Sequence, residues 1–287
     1  MNSRLQKLLN VYRHNGTRAT ITFLLARLGL IDDTLRQVKT AINQEVFERF
    51  NGIVQFGPFE GLELNPKGWW GLGSRGNQVL GLYEDHIVEI LCDFLKSEKS
   101  ELFIDIGAAD GFFAVGVLKA GLTNRCVAYE VSERGREALR ETAKLNGVDS
   151  KLVIEGVACK ETLKSYTEGV EKAVILCDIE GAEYNLFDNQ IVEQLSKQIL
   201  VIELHPHKVM DGDLRNQQLF GRLEKVFEVE VVGRRTADLT GLQCIDGWPD
   251  DARYLLLSEG RDVRGQWAVC FPKQSINQTE MNSLHSL

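Results

Sequence analysis

The chain has 287 residues, 44% of them hydrophobic and 26% charged, with 26 glycines and 5 prolines; that composition excludes a disordered, collagen-like or disulfide-scaffold protein. It carries 33 Lys and Arg against 41 Asp and Glu, a net charge of −8, so the overall charge argues against nucleic acid as a partner. A chain of this length buries roughly three quarters of its unfolded surface and needs no metal to hold a core.

Residues 1–50 depart from that average. They hold eight basic residues (Arg4, Lys7, Arg13, Arg18, Arg27, Arg36, Lys39, Arg49) and four acidic ones (Asp32, Asp33, Glu45, Glu48). Leu5, Leu8, Leu9 and Tyr12, then Ile21, Leu24, Leu25 and Leu28, recur at helical spacing. Asp32-Asp33 predicts the start of a further helix toward Phe50, with acids at its positive end. Such a basic helical segment suits a homodimer interface, a cap over a substrate, or a surface that meets anionic substrates or lipid, although solvated surface explains it equally well. The apolar run Ile21 to Leu30 contains Arg27 and falls short of the ~20 residues a membrane span needs. No apolar stretch of signal-peptide length follows Met1 to Asn10. The six cysteines (Cys92, Cys126, Cys159, Cys177, Cys244, Cys270) form no CxxC pair and no zinc-finger spacing. A cytoplasmic protein without structural zinc is expected.

Residues 53–64 read as two short strands around a Gly57-Pro58 to Gly61 turn. The stretch Asn65 to Gly76 reads as an ordered loop, in which Trp69-Trp70 is expected to form a packing seam rather than an aromatic wall for a sugar ring. A helix is predicted from about Glu84 to Leu95. From residue 101 the chain alternates: apolar runs stand at Leu102–Ile106, Cys126–Glu130, Leu152–Glu155, Ala173–Ile179, Ile199–Leu204, Phe227–Val232 and Tyr254–Leu257, with helical patterns such as Phe112–Ala120 and Glu133–Leu145 between most of them. Strand–helix–strand alternation with fully apolar strands predicts a parallel sheet covered on both faces. The last two runs, joined by a long loop, are expected to pair antiparallel at the sheet edge. This divides the chain into an N-terminal extension (1–80), an α/β domain (81–273) and a polar tail (274–287).

Ligands of open parallel sheets bind at the carboxyl ends of the strands, so the strand ends carry the candidate chemistry. The first ends in Asp105-Ile106-Gly107-Ala108-Ala109-Asp110-Gly111-Phe112. Its glycines permit a tight turn, and the following helix offers free N–H groups. Ala109 and Phe112 occupy the second and third glycine positions of the dinucleotide fingerprint, which argues against a pyrophosphate. The second ends in Glu130, with Val131 beyond it; a carboxylate there can accept from both hydroxyls of a ribose. Past the third, Val157 offers a face for an adenine ring. The fourth ends in Asp178-Ile179-Glu180-Gly181-Ala182-Glu183, where Glu183 is expected to cap or solvate the next helix, and the fifth in Glu203-Leu204-His205-Pro206-His207.

The segment from Asp105 to Gly111 together with Glu130 resembles the S-adenosylmethionine site of class I methyltransferases. With Cys177-Asp178-Ile179-Glu180-Gly181-Ala182-Glu183 and Ile202-Glu203-Leu204-His205-Pro206 it resembles the FkbM-type branch, over about residues 80–205. The resemblance implies a doubly wound, mostly parallel seven-stranded sheet with a reversed last strand, and methyl transfer to a hydroxyl of a sugar, glycan precursor or natural product. It places Asp105 near the methionine amino group with Gly107 and Gly111 framing it, Glu130 at the ribose and Val157 under the adenine, and it counts Ala108, Phe112, Val131 and Asp178 among the cofactor-binding residues. Many class I enzymes carry an acid where Val157 stands. His205 is the candidate base, since an unperturbed histidine titrates near ~6.5, with His207 read as a plain loop residue. Asp178 and Glu180 are candidates to orient the acceptor. A divalent metal on Asp178 and nearby carboxylates is the alternative, ranked second.

Overall fold

The apolar runs become strands because each is buried on both sides. The structure, a computed structural model, describes residues 34–273 except 71, 99 and 262, together with isolated residues between 12 and 28. The stripe at Leu5, Leu8 and Leu9, the Asp32-Asp33 helix start and the tail from residue 274 lie outside the described residues. Strands β1 (Leu102–Ile106), β2 (Cys126–Tyr129), β4 (Ala173–Cys177) and β5 (Ile199–Glu203) are buried throughout, and β3 (Leu152–Glu155) is half-buried at the edge. Alternate residues serve opposite cores: Phe103, Ala128, Val174 and Val201 face one, and Ile104, Val127, Ile175 and Ile202 the other.

The helices follow in chain order: α1 (Thr34–Arg49), α2 (Arg75–Val79), α3 (Asp85–Ser97), α4 (Phe112–Lys119), α5 (Glu133–Leu145), α6 (Lys160–Thr167), α7 (Glu183–Leu186), α8 (Asn189–Gln194), α9 (Gly212–Leu223) and α10 (Asp250–Leu257). Residues of α1, α3, α4, α5 and α10 fill the first core, and residues of α6 to α9 fill the second. Local chemistry fixes several starts. Ser132 caps α5 by accepting from Gly135 N at 3.3 Å, and Asp188 caps α8 by accepting from Ile191 N at 2.9 Å.

The sheet has seven strands in the order β3-β2-β1-β4-β5-β7-β6, where β6 is Phe227–Gly233 and β7 is Gln266–Pro272. Strand β7 runs antiparallel to both neighbours and the other pairings are parallel. The fold is therefore the doubly wound, mostly parallel sheet that the sequence implies, with two helices of the N-terminal extension, α1 and α2, among the described residues. One element is corrected. The run Tyr254–Leu257 is the end of α10, not a strand, and the last strand is Trp267-Ala268-Val269-Cys270-Phe271 with its flanks. Pro249 and the acids Asp250 and Asp251 start a helix, and a short apolar run cannot by itself tell a buried helix from a strand.

Residues 53–64 pair through a single bridge, Ile53 to Glu63. The loop after them is fixed by Arg75, whose guanidinium lies 3.9 Å from the centre of the Phe47 ring and donates to the carbonyls of Asn65 and Pro66. All six cysteines are free. Among the described residues no helix is long and apolar enough to cross a membrane.

Candidate active site

The strand order reverses between β1 and β4, so the loops that leave these two strands diverge and open a crevice. Gly107, Ala109 and Gly111 in the first loop and Glu180 and Gly181 in the second have positive φ. At Gly107 (φ 100°) only glycine fits: a β-carbon there would lie 1.9 Å from the carbonyl oxygen of Asp178, because the two loops touch backbone to backbone. Ala109 (φ 48°) and Glu180 (φ 58°) are strained for residues with side chains, one on each side of the crevice.

The buried carboxylate of Glu130 joins the loop after β1 to the start of α5. Its Oε2 accepts from Ala109 N at 3.0 Å and its Oε1 from Ser132 N at 2.7 Å. Around it opens a cleft of about 670 Å³, lined by Gly107, Val131, Val157, Asp178 and Glu180 among others, within the range of small-molecule sites. Val131 and Val157 are exposed on its apolar wall. Asp105, Ala108, Gly111 and Phe112 lie behind the loop rather than on the cleft surface. Phe112 packs edge-on against Phe59 and Tyr83, with ring centroids 5.5 and 5.4 Å apart. Burial raises Asp105 to about 8. Two carboxylate oxygens, Asp105 Oδ2 in β1 and Asp178 Oδ1 in the loop after β4, are buried without accepting a hydrogen bond, and of these two residues Asp178 lines the cleft.

Trp69 and Trp70 form part of the cleft wall, their centroids 5.7 Å apart and Trp70 half exposed. The expected packing seam is thus a wall of the crevice. Trp70, Asp178 and Glu180 also border a second cleft of about 550 Å³, whose floor includes Glu203, His205 and Arg261.

His205 has two differently occupied faces. Its backbone N–H donates to Glu183 Oε1 at 2.9 Å, and its Nδ1 lies 3.3 Å from the same oxygen. Glu183 Oε2 accepts from Gly181 N at 2.7 Å. Glu183 is completely buried, so it is not the solvated helix cap expected of it; it anchors His205. On the other side, Nε2 lies 3.5 Å from Asp178 Oδ1, 3.5 Å from Glu180 Oε2 and 3.6 Å from Glu203 Oε2. Glu180 is in turn paired with Lys208.

Beneath His205 runs an ion-pair network that sequence reasoning missed. Arg261 pairs with Glu84, Glu203 and, at 2.7 Å, Glu259, and Arg234 Nε lies 3.0 Å from Glu259. Burial, then the facing Asp178 and Glu84 charges, push Glu203 up; burial opposes the Arg261 charge, but Glu84 and Glu203 outweigh it and raise Arg261. Glu203 closes an apolar strand, and a carboxylate there demands a partner. That was the available signal; nothing in the sequence around Arg261 names it. Asp178, Glu203 and His205 offer ligand atoms within 4.8 Å of one another, a set that could hold a cation.

No family model matches the chain, and no curated protein matches it. Among solved structures, cofactor-bound Rv0187 from MTB is 12% identical, with a TM-score of 0.45 over 89% of this chain and 96% of that one. Spermidine synthase from Thermotoga maritima is 16% identical, with a TM-score of 0.44 over 69% and 61%. The tRNA methyltransferase TrmK of B. subtilis is 8% identical, with a TM-score of 0.43 over 67% and 70%. These distant likenesses span different reactions, and a fold alone does not choose among them.

Proposed function

We propose that the protein is an S-adenosylmethionine-dependent O-methyltransferase of FkbM type, acting on a hydroxyl of a sugar, glycan precursor or natural product. One observation carries the reading. The Glu130 carboxylate is bound to the N–H of Ala109 on one side of the crevice, while His205 presents Nε2 beside Asp178 on the other. Glu130 takes the ribose, Val157 packs on the adenine, Val131 and Asp178 complete the cofactor contacts, and Gly107, Ala108, Gly111 and Phe112 shape the loop that holds the methionine end beside Asp105.

When bound, the cofactor supplies an activated methyl group, so the chain's own tasks are alignment and proton removal. Glu183 accepts from Nδ1 and leaves Nε2 to take the proton of the acceptor hydroxyl. Asp178 and Glu180 orient that hydroxyl. A second reading rests on the Asp178, Glu203 and His205 trio: these residues would hold a divalent cation that lowers the hydroxyl pKa, and activity retained after chelation rejects it.

Thermal denaturation with S-adenosylmethionine, S-adenosylhomocysteine and NAD tests the proposal. Stabilisation by the first two alone is expected; stabilisation by NAD alone overturns it. A protein stabilised by both, yet forming no S-adenosylhomocysteine from S-adenosylmethionine with any hydroxylated acceptor, would be a binding module.

A further inference from the structure

The acceptor cleft does not end at Arg261. Glu259, Gly260, Arg261 and Val263 border both that cleft and a neighbouring groove of about 630 Å³. The groove is built where the chain leaves β6 and enters β7, and Arg234 N donates to Gly265 O at 2.9 Å to hold its two sides together. Among the described residues four arginines line it (Arg234, Arg235, Arg261, Arg264) with one carboxylate, Glu259. Arg234 and Arg261 are paired with Glu84, Glu203 and Glu259, so the positive surplus of the groove comes from Arg235 and Arg264, in a protein of net charge −8.

Two of these guanidinium groups have donors to spare. Arg235 is exposed and makes no hydrogen bond or ion pair with a described residue. Arg264 spends only its Nε, on Arg234 O at 2.9 Å, and has no carboxylate partner among the described residues. Its fork lies flat over Gly233, where a β-carbon would sit 3.1 Å from Nη2. The basic N-terminal segment also reaches this side: Arg36 borders the acceptor cleft, and Lys39 Nζ lies 3.2 Å from where a Gly260 β-carbon would be. Planar guanidinium forks match phosphate oxygens in pairs. Arg261 links groove to base, since it pairs with Glu203, which lies 3.6 Å from His205 Nε2.

We infer that the groove binds a phosphate or diphosphate group of the acceptor, so that the hydroxyl brought to His205 belongs to a small phosphorylated molecule. The inference rests on the second cleft being the acceptor site proposed above. The groove fixes the anionic end, and the acceptor reaches from it across Arg261 to Nε2.

The experiment titrates the full chain with inorganic pyrophosphate, glucose 1-phosphate and UDP-glucose, and separately with S-adenosylhomocysteine. The comparison is with the Arg235→Glu/Arg264→Glu double variant and with Lys119→Glu, a charge reversal on the exposed end of α4. Pyrophosphate is expected to bind the wild type and the Lys119→Glu protein alike, and the double variant at least about tenfold more weakly. S-adenosylhomocysteine affinity should be equal in all three. Tighter binding of UDP-glucose than of glucose 1-phosphate identifies a nucleotide-linked acceptor, and the reverse a sugar phosphate; either supports the inference. Absent pyrophosphate binding, equal binding by the double variant, or equal loss in Lys119→Glu overturns it. So does bulk tRNA that binds through Arg235 and Arg264 without competition from pyrophosphate. If pyrophosphate behaves as expected while S-adenosylhomocysteine binds to none of the proteins, the cofactor reading falls and the groove stands.

Discussion

The two sides of the crevice are built by different means. On the β1–β2 side the elements lie close together, between residues 105 and 132, and backbone N–H groups set the geometry: Ala109 and Ser132 hold Glu130, while Gly107 meets the Asp178 carbonyl of the loop after β4. On the β4–β5 side the geometry comes from side chains far apart in sequence. Glu84, Glu183, Glu203, Glu259 and Arg261 position one another and His205. A site held by backbone depends on a few conformations, whereas a buried polar network depends on each member, because removing one strands its partners.

That contrast predicts where substitution hurts most. His205→Ala removes the proposed proton acceptor and should lower turnover by roughly 100- to 10,000-fold, with S-adenosylhomocysteine affinity unchanged; single-turnover methyl transfer measures the first and calorimetry the second. Full activity in this variant would move the base elsewhere. Glu183→Gln should cost less. The amide keeps one oxygen for the three donors that Glu183 now faces, so His205 loses its orientation. As a positioning residue it should depress kcat while acceptor KM and cofactor Kd hold. An equal loss in all three would mean that Glu183 serves only the fold.

On the backbone-held side the largest effect should be on binding. Glu130→Ala removes a charged acceptor of the proposed ribose hydroxyls, at about 1.5–3 kcal/mol, and should weaken S-adenosylhomocysteine by roughly tenfold to a hundredfold while kcat at saturation changes little. Unchanged affinity would take Glu130 out of that role and leave it as the strut between the loop and α5.

The same contrast governs what the sequence could disclose. The glycine loop and Glu130 were legible because residue type and spacing alone impose the turn and put an acid on the neighbouring strand end. The core strands were legible because burial on both faces leaves unbroken apolar runs. The network around His205 was not. Glu183 reads like any acid at a helix start, and its complete burial follows from how the loop after β4 packs under His205. Arg261 stands in a stretch with no periodicity, and its partners at 84 and 203 meet it only once β7 has inserted beside β5. The exchange of α10 for β7 has a similar origin, because Tyr-Leu-Leu-Leu is apolar enough for either element and only the sheet edge chooses.

A smaller change tests the contact between the two sides. Gly107→Ala adds a β-carbon at φ 100° and 1.9 Å from the Asp178 carbonyl, so the loops must separate. A loss of about 1–3 kcal/mol is expected from the backbone conformation alone, seen as a lower denaturation midpoint and weaker S-adenosylhomocysteine binding. A variant as stable as the wild type would show that the loops part freely.

The last effect is in pH dependence, and it separates burial from ligand charge. Burial raises Asp105 from 3.8 to about 8, so between those values the folded protein holds a proton there that the unfolded chain has released. Stability then falls as pH rises through that window, since the folded state binds more protons. Asp105→Asn cannot ionise and should flatten this part of the profile in chemical denaturation between about pH 4 and about pH 8. The proposed cofactor acts in the opposite direction. An ammonium group beside Asp105 favours the carboxylate, so binding should release a proton and tighten as pH rises toward about 8, and calorimetry in buffers of different ionisation enthalpy reads that proton directly. Binding without proton release in the wild type, or with equal release in Asp105→Asn, would place the ligand's cation away from Asp105.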